Sequence, residues 1–197
     1  PVHLGSSIGI SKARDRNVLK VSLAKAFQFD EKALVEKCVT KIMEINVAVI
    51  DTDPVRASVV EIPISSGEAL SYEDKYMRGG SKTADASQGM ASLQRIIDPA
   101  DLSPELKNRA WEYAIKIYEA IGAKGISRLD FILDLNDDTL YFNEINPIPG
   151  SLAFYLWERS SPRLLYPDLI GHLIDSAIKG AALKESLVPL VGFKALK

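Results

Sequence analysis

The segment "ISRLDFILDLNDDTLYFNEINPIPG", residues 126–150, constrains the fold more than any other part of the chain. Two apolar, alternating runs flank the polar turn around "NDD", the pattern of a β-hairpin. Pairing about a turn centred near Asp137 sets Asp130 opposite Glu144 and Arg128 opposite Asn146. Period-two alternation gathers those four on one face and puts Leu129, Phe131, Leu133, Tyr141 and Ile145 on the other. Two carboxylates directly opposite each other repel and weaken a sheet. A bound cation offsets that repulsion, and two carboxylates with an amide oxygen are hard ligands suited to Mg²⁺. Arg128, one step along, would then stabilise negative charge developing beside the metal. The competing reading is an exposed rim on which Arg128 simply neutralises the acids, and spacing alone leaves both open. Asp137 and Asp138 are turn chemistry.

Other elements frame this hairpin. A helix over 104–121 has Ser103 as its N-cap, Pro104 in its first turn and Gly122 to end it. Its apolar stripe runs Leu106, Ala110, Tyr113, Ala114, Ile117, Ile121. An earlier helix, N-capped by Asp15, carries Leu19, Leu23, Ala26 and Phe27, and a last one near 167–183 buries Leu169, Leu173, Ile174, Ala177 and Ile178. "KALVEKCV", "MEINVAVIDT" and "ASVVEIPIS" are β-rich, and Cys38 in the first of them is a small buried strand residue. Residues 65 to about 98 are polar and glycine-rich, the composition of a functional lid or a linker. "GSSIG", residues 5–9, sits between two expected strands. Its backbone N–H groups and hydroxyls can cradle phosphate oxygens, with an ordinary hairpin turn as the alternative. The element order is that of an α+β fold, mostly antiparallel sheets flanked by helices.

The totals narrow the function classes. A net charge of -2 over 197 residues gives no electrostatic reason to expect nucleic acid or an anionic membrane as partner. One cysteine excludes an internal disulfide framework and fits a cytoplasmic protein, and with two histidines a zinc cluster is not expected. No apolar run approaches the roughly 18 residues of a membrane span.

Five segments in order, "PVHLGSSIGISK", "LVEKCV" with "MEINVAVI", "YEDKY", "IGAKGISRLDF" and "YFNEINPIPG", resemble the C-terminal ATP-grasp portion of the D-alanine–D-alanine ligase family over nearly the whole chain. The resemblance implies an ATP-grasp domain over 1–197, lacking its N-terminal side. It would comprise a small ATP-clamping lobe, 1–50, and a larger catalytic lobe, 51–197, with a lid at about 65–98. It implies Asp130, Glu144 and Asn146 as ligands of Mg²⁺ (or Mn²⁺). Arg128 would steady the acyl-phosphate and tetrahedral species, and the Gly150 N–H would help hold the reaction centre. Ser6 and Ser7 would lie in the phosphate-covering loop, with Ser7 linking loop, lid and substrate. Lys75 would reach the γ-phosphate and Tyr76 would close over the reactants. Glu36, Lys37 and Val39 would grip adenine, and Glu44 the ribose. The implied activity is ATP-dependent ligation of two D-alanines through an acyl phosphate, for peptidoglycan precursors, in a homodimeric cytoplasmic enzyme. Another ATP-grasp carboxylate–amine or D-alanine–D-hydroxy acid ligase, or a non-catalytic nucleotide-binding module, are the alternatives. The family's ATP-binding lysine and N-terminal domain would precede Pro1, so ligation is not expected of this chain alone. Tyr155 stands where the family pattern has a small hydroxyl residue.

Overall fold

The computed structural model describes residues 8–64 and 94–186. Two compact units divide the chain, Pro1–Lys41 and Ile42–Lys197. In the first, helix α1 (Arg16–Ala26) starts where Asp15 accepts hydrogen bonds from the Asn17 and Val18 N–H groups. None of its residues is fully buried, and Phe27 is 53% exposed. The expected strand "KALVEKCV" is irregular chain instead: Leu34 and Val35 are exposed, as is Cys38, and no strand pairs with it among the described residues. Without a neighbour to accept its backbone hydrogen bonds, β propensity alone makes no strand. Residues 8–14 likewise form no strand.

The second unit is built on one antiparallel sheet of five strands, β1 (Ile42–Ile50), β2 (Arg56–Ile64), β3 (Gln94–Ile97), β4 (Ile126–Asp134) and β5 (Thr139–Asn146), in the order β3-β2-β1-β4-β5. Residues 94–97, expected at the end of the lid, are thus an edge strand paired to β2. The central strand β1 is buried on both faces from Ile45 to Ile50, so it reads as a continuous apolar run with one polar residue, Asn46. A bulge between Val47 and Val49 is bridged by Ser58, whose Oγ accepts the Ala48 N–H at 2.9 Å.

Helix α2 (Pro104–Ala120) covers one face, packing Leu106, Ala110, Ala114 and Tyr118 against Ile45, Val47, Val49, Leu129, Phe131 and Leu133. Ser103 caps it through Leu106 N–H, and Gly122, at φ +63°, turns the chain away. The buried stripe contains Tyr118 and leaves the expected Tyr113 and Ile121 at 38% and 57% exposure. Tyr118 wins its place by donating its hydroxyl to the Gly125 carbonyl at 2.7 Å.

On the opposite face lie the short helix α3 (Phe154–Trp157) and α4 (Tyr166–Ser186). Leu156, Trp157 and Leu169 pack there on Ala48, Ile50 and Ile126. Of the residues expected to bury on α4, Leu169 does so and Leu173 partly, whereas Ala177 is exposed and Ile174 and Ile178 are 54% and 63% exposed. Polar contacts hold α4 as well: Ser176 Oγ donates to Asp51, and His172 Nε2 lies 3.1 Å from the same carboxylate. No helix among the described residues is long and apolar enough to cross a membrane.

Candidate active site

The hairpin of β4 and β5 forms with the expected opposition at its open end: Arg128 faces Asn146, Leu129 faces Ile145, and Asp130 faces Glu144. Beyond Asp130 the register slips by one, so Phe131 meets Phe142 and Ile132 meets Tyr141. The bulge moves Tyr141 onto the polar side, against the alternation read from sequence, and gives its apolar place to Phe142. At the turn, Asp137 accepts the Thr139 N–H and Asp138 adopts a left-handed φ of 58°, as turn residues do.

The polar end of this hairpin opens into a pocket of about 280 Å³ lined by Glu44, Asn46, Glu61, Pro63, Arg95, Arg128, Asp130, Glu144 and Tyr155. Its floor is a row across four strands: Glu61 pairs with Asn46, Asn46 with Asp130, and Asp130 with Glu144. Asp130 is the hub. Arg128 donates to it through Nε and Nη2, both at 2.7 Å, and Asn146 Nδ2 donates to Oδ2 at 2.9 Å. The hydrogen bonds to Asp130 raise the Arg128 guanidinium well above its ordinary value, against the opposing pull of burial. Across the pocket Glu61, 3% exposed, accepts from the Tyr155 hydroxyl at 3.0 Å and pairs with Arg95 at 3.3 Å. The Arg95 guanidinium lies 4.5 Å from the centre of the Tyr155 ring, a cation–π contact. Burial first, then the Glu61 charge, pushes the Tyr155 phenol up to about 12.

The structure therefore joins Arg128, Asp130 and Glu144 in one pocket with Glu44 on β1, and Asn146 stands beside its lining, bonded to Asp130. Gly150 is exposed at the start of a 3₁₀ turn (Gly150–Ala153) and does not line it. Ser151, Leu152 and Ala153 follow in left-handed backbone, φ 53°, 52° and 48°, an arrangement costly for residues with a Cβ. Glu36, Lys37 and Val39 belong to the first unit, with the two charged side chains exposed. Ser6, Ser7, Lys75 and Tyr76 lie outside the described residues. Asn46, Glu61 and Arg95 were missed from sequence. The polar Asn46 and Glu61 inside apolar strands were the available signal, whereas nothing local marks Arg95.

A divalent cation suits the donor set at the β4–β5 end: two carboxylates and an amide offer hard oxygen atoms from adjacent strands. Among the described residues no three His, Cys, Asp or Glu side chains group to hold a metal ion by themselves, so a cation here would also draw on an amide oxygen. Both Asp130 oxygens also accept from Arg128, so a cation there would share or exchange those contacts.

An antiparallel sheet with helices on both faces is the α+β, ATP-grasp fold of its structural neighbours. The family model described as D-ala D-ala ligase C-terminus matches residues 1–175, and the chain belongs to that family. A D-alanine–D-alanine ligase of Acetivibrio thermocellus is 38% identical over 184 residues, covering 91% of this chain and 44% of that protein. One from Clostridium novyi is 36% identical over 184 residues, covering 91% and 49%. The D-alanine–D-alanine ligase structure from Coxiella burnetii superposes with a TM-score of 0.69 at 22% identity, over 92% of this chain and 44% of that one, a likeness of fold. VanG D-Ala:D-Ser ligase from Enterococcus faecalis gives 0.59 at 26% identity, over 87% and 46%. The chain thus spans under half the length of these relatives.

Proposed function

We propose that this chain is the ATP- and metal-binding part of a cytoplasmic enzyme that joins two D-alanines for peptidoglycan precursor synthesis. The observation that carries it is the polar row at the hairpin end, where Asp130 and Glu144 converge with Arg128 in one pocket and Asn146 donates to Asp130 beside it. Bound there, Mg²⁺ (or Mn²⁺) would neutralise the charge of ATP phosphate oxygens. Asp130, Glu144 and Asn146 would hold it. Arg128, fixed in orientation by Asp130 and charged at any working pH, would face the oxyanions of the acyl phosphate and of the tetrahedral species. Glu44 would meet the ribose and Glu36, Lys37 and Val39 the adenine. Ser6, Ser7, Lys75, Tyr76 and the Gly150 N–H keep the roles that the sequence pattern gives them. Such a site works by positioning the donor carboxylate and the acceptor amine and by excluding water from the activated acyl group. A homodimer is the expected assembly of the full-length enzyme.

A D-alanine ligase with a different acceptor is a second reading, favoured by one observation. The phenol of Tyr155 occupies the pocket wall and is tied to buried Glu61. An oxygen-18 experiment tests the shared chemistry. Donor D-alanine labelled in its carboxylate should pass one labelled oxygen to the released phosphate, because that oxygen attacks the γ-phosphorus and then leaves with it. Unlabelled phosphate alongside dipeptide would rule out the acyl-phosphate route.

A further inference from the structure

Asn46 is 6% exposed and lines the pocket, yet its Oδ1 is buried with no hydrogen-bond partner among the described residues. A buried amide oxygen left unpaired is costly unless a ligand donates to it. Its neighbours in the row cannot relieve it. Glu61 is an acceptor committed to Tyr155 and Arg95, and Asp130 is an acceptor committed to Arg128 and Asn146. An oxygen standing between two carboxylates calls for an N–H donor, and a cationic one best.

The row also orients the answer. The set Asp130, Glu144 and Asn146 lies on β4 and β5, whereas Asn46 lies on the other side of Asp130, towards β2 and β3. That half of the pocket is amphoteric. Besides the Asn46 oxygen it holds Arg95, whose contact with Glu61 runs through Nη1. A guanidinium has five N–H donors, so the fork retains capacity for a second carboxylate. An amide oxygen for an ammonium and a guanidinium for a carboxylate complement the two ends of a free α-amino acid.

We propose that Asn46 and Arg95 anchor the amine and the carboxylate of the acceptor amino acid, with Tyr155 as the wall beside them. This rests on the ligase reading above and adds residues to it. The test uses Asn46→Leu and Arg95→Gln in the full-length protein. Steady-state ligation and calorimetric titration with D-alanine, D-lactate and D-alaninamide are measured together. Each variant should raise the acceptor KM about tenfold to a hundredfold, the range for a hydrogen bond to a charged group, and leave the KM for ATP unchanged. Asn46→Leu should erase the preference for D-alanine over D-lactate, and Arg95→Gln the preference for D-alanine over D-alaninamide. Unchanged acceptor KM in both variants, or lowered thermal stability with both preferences intact, would overturn the assignment. Titrated D-alanine binding that depends on both residues in a protein that ligates nothing would keep the subsite and remove the ligase reading. Ligation with unaltered acceptor KM would do the reverse.

Discussion

At the level of single residues, Asp130 is the hub of the polar hairpin end. Its carboxylate takes three hydrogen bonds from Arg128 and Asn146, so the sequence-level rival, an arginine neutralising an acidic rim, describes one of its contacts correctly. Glu144 directly opposite is what a simple ion pair does not explain. Asp130→Asn keeps the shape and one acceptor oxygen while removing the charge. Turnover should fall by more than about a hundredfold, since metal and phosphate charge lose a partner, with circular dichroism nearly unchanged and the melting temperature lowered because Arg128 and Asn146 lose a charged acceptor. Near-normal turnover would sink the metal assignment. Tyr155 offers a spectroscopic check. The folded protein holds its proton to about pH 12, against 10.0 for a free phenol. A folded-state value raised above the unfolded one means that its contribution is fully present below about pH 10 and is lost as pH climbs towards 12. Tyr155→Phe should remove one late-titrating tyrosinate step from the ultraviolet titration. An unchanged curve would show that its phenol is not held by burial and Glu61.

The elements show where sequence patterning reaches and where it stops. Both capped helices, the three long apolar strands and the open end of the hairpin were legible, because caps and alternation are local signals. The bulge after Asp130 was not, since whether Tyr141 or Phe142 shares the face of Phe131 depends on which ring meets it, and Phe142 does so at 6.0 Å between centres. Edge strand β3 was also missed: four residues carry too little pattern, and only pairing with β2 defines them. Helix α4 was read as more buried than it is, because part of its anchoring is polar. Burial works against the Asp51 charge, but hydrogen bonds from Ser176, the Gly125 backbone and His172 outweigh it and hold the carboxyl below its ordinary value of 3.8. The depressed folded-state value makes its contribution fully present above about pH 4 and lost as pH falls below that. Asp51→Asn should therefore cost roughly 1–3 kcal/mol near neutral pH, and the gap to wild type should close towards pH 3. A gap that persists in acid would assign the effect to shape instead of charge.

For the molecule as a whole, the division between units falls after Lys41, so β1 belongs entirely to the sheet that carries the pocket. The family resemblance implies a small lobe over 1–50 and a larger one over 51–197. Ile45 to Ile50 are buried on both faces, at the centre of the five-stranded sheet. The pocket is legible in part: its hairpin half is local in sequence, whereas Asn46, Glu61, Arg95 and Tyr155 come together only when the sheet forms and α3 packs on it. The most direct measurement is phosphate release by the full-length protein with Mg–ATP across D- and L-amino acids and D-lactate, with products identified by mass. Release that rises with D-alanine and yields D-alanyl-D-alanine is the predicted result; no amino acid-dependent release at all would contradict the ligase account and leave a nucleotide-binding module.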